Sequence, residues 1–158
     1  MTDYTALGNA IKTTLQNDLW LGNSLNVKTI ETHKRGFSIQ DEKDARFFAP
    51  FDLPAIAVVP NVEGKQQEPG ATNEIRETVP AQVIVVTRHR DIQLGLTDHH
   101  TLVSNIERVL DKQKSSINDL GIGGYVREVN TSEELFKKGE YYYFISTTTA
   151  QIELTVNF

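Results

Sequence analysis

The sequence of 158 residues contains no cysteine, which removes disulfides, thiol nucleophiles and thiolate metal sites at once. That absence suits a reducing cytoplasm or a particle assembled in one. Positive charge is also short: 16 Lys and Arg stand against 21 Asp and Glu, a formal net charge of −5. The excess of cations needed for broad phosphate binding is missing, so nucleic acid is not an expected ligand by charge. No stretch approaches the ~18 apolar residues of a membrane-spanning helix. Residues 1–10 carry an acid at Asp3, no early basic residue and no apolar core of signal-peptide length. The expectation is a soluble, cytosolic chain. There are no internal repeats and no low-complexity runs. With 39% hydrophobic and 23% charged residues, the composition is that of an ordinary globular protein of one domain.

Two segments have helical periodicity. Tyr4, Leu7, Ala10 or Ile11, Leu15 and Leu19 recur at three- and four-residue steps, with Thr2 or Asp3 placed to cap and Gly22 to terminate. Over residues 98–112, Leu102, Val103, Ile106, Val109 and Leu110 form one stripe, and Thr97 or Asp98 can accept the first free amides.

Extended segments lie between the helices, at residues 25–30, at 55–59 between Pro54 and Pro60, and at 81–90. In the last, Val83 and Val85 point one way while Ile84 and Val86 point the other, so the strand belongs in mid-sheet with both faces covered. One helix covers one face; the other needs a second helix or a neighbouring subunit. The glycines at 121, 123 and 124 suit a reversal into a short strand at 125–129. Thr131 and Glu134 have capping-box spacing, which predicts a helical turn over 131–138.

From 141 to 158 there is no Gly or Pro. Tyr142, Phe144, Ala150, Ile152, Leu154, Val156 and Phe158 are apolar on one parity, with Thr147, Thr149, Gln151, Glu153 and Thr155 polar on the other. This predicts either one very long strand or two joined at a bulge near 146–148. Residues 61–78 form a polar stretch with few apolar anchors between two strong strands. That is too long for a simple hairpin loop and has the character of a functional loop.

Catalytic constellations fail one by one. His99 and His100 are adjacent and diverge on a helix, without the four-residue spacing that grips a metal; a solvated helix start is the plainer reading. The Gly121–Gly124 run follows a helix and precedes no Lys-Ser or Lys-Thr, so it reads as a turn and not a phosphate loop. Asp41, Glu42 and Asp44 lack the spacing of a calcium loop. No Ser, His and acid set stands out. The expectation is therefore no catalytic residue, no cofactor and no metal. Phe47, Phe48 and Phe51 cluster before the Pro-flanked strand, either capping the core or anchoring a subunit contact. Arg88 and Arg90 either meet a partner's acids or end their strand in solvent.

The order of elements is helix, strand, the segment FDLPAIAVVP, a polar excursion, the strand VPAQVIVVTRH, an amphipathic helix, a glycine turn and a long final strand. It resembles the tail terminator, or tail completion, proteins of tailed phages over most of its length. The resemblance implies an α+β subunit, with an antiparallel or mixed sheet of about four or five strands packed against two main helices. It also implies a ring, commonly hexameric, at the head-proximal end of the tail. Such a ring ends tube polymerisation and joins tail to neck, in a virion assembled in the host cytoplasm.

Its partners would be further copies of itself, the tail tube protein and a neck or head-completion protein, with DNA passing the lumen without specific recognition and no membrane involved. Another head-tail connector or neck adaptor is the nearest alternative, and a small enzyme or ligand-binding domain the distant one. On this reading Phe47, Phe48, Phe51, Arg88, Arg90, Ile152, Leu154, Val156 and Phe158 contribute to subunit contacts. Glu63, Lys65, Glu68, Arg76 and Glu77 belong to a loop reaching for tube or neck.

Overall fold

The computed structural model describes residues 3–32, 53–61, 63–70, 73–114, 120–121 and 124–157. Helix α1 (Tyr4–Gln16) is capped by Asp3, whose carboxylate accepts the Ala6 amide at 2.9 Å. It buries Leu7, Ile11 and Leu15 on one stripe. The helix stops before the periodicity does. Asp18 accepts the amides of Trp20 and Leu21 and turns the chain, so that Leu21 enters the core and Leu19 is left 95% exposed. Leu19 therefore drops out of the expected stripe.

The strands are β1 (Thr29–Thr32), β2 (Ala55–Pro60), β3 (Gln66–Pro69), β4 (Glu74–His89), β5 (Gly124–Lys138) and β6 (Tyr141–Asn157). They form one mixed sheet in the order β1-β2-β4-β6-β5, with β3 beside the first part of β4. β1 runs parallel to β2 and every other pairing is antiparallel. Helix α2 (Ile92–Asp111) packs with α1 on one face. This is the expected α+β architecture, two helices on a mixed sheet.

Several local expectations are corrected. α2 starts six residues before residue 98, because Asp91 accepts the Gln93 and Leu94 amides at 2.9 Å and is the true cap. The early turn hides in the sequence because it carries Gly95 and exposed leucines in place of an apolar stripe. Gly95 is required there: a Cβ would stand 2.6 Å from His89 Cβ and from the Phe144 ring.

Residues 131–138 are not a helical turn. Glu133, Leu135 and their neighbours pair with β6 up to Lys138 opposite Tyr141, and Gly139 at φ 64° makes the reversal. A capping-box spacing is one local preference; a ladder running the length of β5 outweighs it.

Likewise the polar stretch 61–78 is a hairpin and not a loop. β3 pairs with Ile75–Thr78 of β4, and Asn73 takes a positive φ of 66° at the turn. The C-terminal segment is a single strand of 17 residues, roughly 55 Å at ~3.3 Å per residue.

β4 is central, as its two apolar faces require. Val79, Ala81, Val83 and Val85 pack with Ala150, Ile152 and Leu154 of β6 beneath the two helices. Ile84 and Val86 turn the other way, into a smaller cluster with Leu53, Ala55, Ala57, Val59 and Ile145. α1 and α2 are tied at one end by Arg108, whose guanidinium reaches Asp18 at 2.8 Å. Partial burial pushes the Asp18 carboxyl up, but the Arg108 contact and the Leu21 and Trp20 amides outweigh it and hold the group below the usual carboxylate range.

Candidate functional site: an association surface

Among the described residues, a Ser–His contact lies between α2 and the sheet. His99 is 1% exposed; its Nδ1 meets the Thr87 hydroxyl at 2.8 Å and its Nε2 the Ser146 hydroxyl at 2.5 Å. Burial pushes the imidazole down from its ordinary 6.5 to about 4, with the Glu133 carboxylate opposing and His100 adding to the fall. The neutral ring satisfies both hydroxyls, and Phe144 packs against it at 5.7 Å between centroids. Thr87 occupies the place where an acid would orient a catalytic ring, and Ser146 is fully buried. The trio is a polar tie holding α2 to β4 and β6. The helix start read at His99 and His100 is corrected, since α2 begins at Ile92; of the two only His100 is exposed, and it meets Glu133 at 2.8 Å. The four-residue step from His99 to Val103 in the apolar stripe was the available signal.

Among the described residues no group of three or more His, Asp or Glu side chains could hold a metal ion. No described helix is long and apolar enough to cross a membrane.

The residues expected at subunit contacts separate into four groups. Phe47, Phe48, Phe51 and Phe158 lie outside the described residues. Ile152 and Leu154 lie in the chain's own core, 0% and 6% exposed, beneath the helices. Both side chains are taken up by the chain's own core. Val156 is placed by backbone register opposite Ile75. Arg88 and Arg90 come together at the far end of β4, over the Tyr141 ring at 4.2 and 5.3 Å from its centroid. Arg90 also approaches Glu140 at 3.8 Å, an exposed pair of small energetic weight.

The residues expected on a contact loop sit on the β3–β4 hairpin at the opposite end. Glu68 and Arg76 are register partners. Glu77 does not face outward: it is 2% exposed, accepts from Gln67 Nε2 at 2.7 Å and lies 3.5 Å from Lys65 Nζ. Its second carboxylate oxygen and the nearby Tyr4 hydroxyl are buried without a hydrogen-bond partner among the described residues. Glu77 and Lys65 thus fasten the hairpin to the body, leaving Glu63 and Glu68 as its exposed acids.

Two further features were not anticipated. β5 is an edge strand of 15 residues, mostly exposed, with a bulge at Arg127 and, among the described residues, no strand on its outer edge. At the other side, a cleft of about 320 Å³ opens between α2, the end of β4 and the turn after α1. Its lining includes Trp20, Leu25, Pro54, Thr87, Gly95 and Thr101.

No family model matches the sequence, and no curated protein matches it. A solved structure does share its fold: a chain in the virion of a native gene transfer agent particle. That chain aligns at a TM-score of 0.52 and 12% identity, over 94% of this chain and 96% of its own length. The chain therefore shares, over 94% of its length, the fold of a component of a virion particle.

Proposed function

We propose that this chain is a structural virion protein that closes into a ring, of six copies, at the head-proximal end of a phage tail. There it ends tube polymerisation and joins tail to neck. The observation that carries the reading is the fold likeness to a gene transfer agent virion chain over nearly the whole of both chains. Its support from the molecule itself is the long sheet, whose β5 edge, unpaired among the described residues, and exposed leucines suit association better than a solitary life. The β3–β4 hairpin, with Glu63 and Glu68 outward, extends the sheet at one end and is the proposed contact with tube or neck.

Mass measurement of the purified chain, alone and with tail tubes, tests the proposal. A ring-sized species in at least one condition is expected. A chain that stays monomeric in both overturns it.

A further inference from the structure

Among the described residues six large hydrophobic side chains are exposed, and register, the Gly95 crossing and the cleft lining relate five of them, Leu25, Ile92, Leu94, Leu96 and Leu135, to one row of the sheet. The register sets that row: Thr87 of β4 stands opposite Phe144 of β6, which stands opposite Leu135 of β5. α2 passes over this row at Gly95, against Phe144.

The five divide between the two flanks of α2. On the β5 flank, Leu135 is 49% exposed on the helix-covered face. Ile92 and Leu96 precede His100 by eight and four residues on the same helical stripe, and His100 reaches Glu133 of β5, so they point to that flank as well. On the other flank Leu94 precedes Asp98 and Thr101, which line the cleft, and Leu25 stands at the cleft 89% exposed.

One flank therefore carries an apolar projection and the other an apolar-rimmed recess, both beside that row. We infer that this pair of flanks is the contact between successive copies, with Leu135, Ile92 and Leu96 of one copy seated against the cleft beside Leu25 and Leu94 of the next. The occupant is a second copy of this chain because the chain itself supplies both halves. Two different patches on opposite sides make a head-to-tail contact, which closes into a ring when the rotation permits, whereas a two-fold dimer needs one self-complementary patch.

Charge agrees with the same docking. Glu134 is exposed beside Leu135 on the face away from the helices, and Arg88, at the cleft, lies on that same face of β4. Seating Leu135 in the recess turns Glu134 toward Arg88 across the join, while Asp98 in the cleft lining is the like charge that Glu133, held by His100, has to clear. The inference rests on the ring reading and names its interface.

Because the sequence has no cysteine, the contact can be trapped cleanly. Thr101→Cys on the cleft side, Leu135→Cys on the β5 side and the double variant are treated with a short bis-maleimide under the conditions where the native chain is oligomeric. Unchanged thermal melting serves as the check on folding. The double variant is expected to give a ladder of linked copies up to the closed ring, and each single variant no linked product. A dimer from either single variant, or no ladder from the double variant in a preparation whose mass is oligomeric, overturns this interface and leaves the ring. A native chain that is monomeric with and without tail tubes overturns the ring reading first, and this interface with it. As a second readout Leu135→Asp is expected to shift the oligomer to monomer, and an unshifted oligomer counts against the contact.

Discussion

β2 and β5 lie on opposite sides of the central β4–β6 pair, and they are opposite kinds of strand. β2, AIAVVP, is buried at all but its final residue. β5, GYVREVNTSEELFKK, is buried at Gly124 and Val126 and largely exposed beyond them. The first is a strand by content, since a short apolar run has nowhere to go but the inside of a sheet. The second is a strand by pairing: its shape is imposed by β6, whose own alternation is strong enough to template a polar neighbour along its length. A strand can thus be essential to the architecture while contributing little to the core, and its side chains are then free to serve what lies outside.

The contrast is broken or sharpened most directly by truncation. Ile56→Ala in β2 removes a fully buried side chain from the helix-side core and is expected to cost about 2–5 kcal/mol. Asn130→Ala, exposed in β5, is expected to stay within about 0.5 kcal/mol. Chemical denaturation of both variants gives the comparison, and equal losses would abolish it.

The two adjacent histidines repeat the contrast, His99 facing the interior strands and His100 the edge. His99 has its folded value depressed to about 4 from an ordinary 6.5. Its neutral form costs nothing above pH 6.5. As pH falls from 6.5 to about 4 the unfolded chain takes up a proton the folded one refuses, and about 3 kcal/mol of stability is lost. His99→Leu is expected to flatten this part of the pH–stability curve while lowering stability at neutral pH, because Thr87 and Ser146 lose their partner. His100→Ala is expected to leave the acid limb in place. An unchanged limb in His99→Leu would mean that other groups carry it.

Gly95→Ala is expected to cost about 1–3 kcal/mol, less than Ile56→Ala at its upper range and more than Asn130→Ala, from crowding His89 and Phe144 where α2 crosses the sheet. Thermal melting measures it, and a neutral result would show that the helix can lift.

The elements that follow from content were legible in the sequence. The α1 stripe, the two-sided apolarity of β4 and the unbroken parity of β6 each stand in the structure where their periodicity puts them. Elements that follow from partners were not. The β3 hairpin arm has four exposed residues and forms because β4 offers an edge there. β5 beyond Val129 shows a capping-box spacing and runs of Glu and Lys, all of them local signals, while the deciding interaction is with β6. The early turn of α2 was masked by the leucines it exposes.

The candidate site follows the same logic. An over-long apolar strand suggests a free face at Ile152 and Leu154, yet both side chains lie in the core with residues of α1 and α2. The charge of Glu77 suggests exposure, yet Gln67 and Lys65 supply the partners that let it be buried. Arg88 and Arg90 were rightly placed at a strand end, and their shared contact with Tyr141 depends on the β5–β6 turn folding back beside them.

The position of β6 between β4 and β5 also governs the order in which the chain can be completed. β6 follows both of its neighbours in sequence, so a nascent chain has made β4 and β5 before the strand that joins them exists. Every register pair from Glu74–Asn157 to His89–Tyr142 is then a distant closure, made late and together. Until that moment neither the cleft side nor the β5 side is held in its final relation to the other. On the proposed reading, a chain caught halfway through synthesis cannot present both halves of the joint, and only finished copies would assemble.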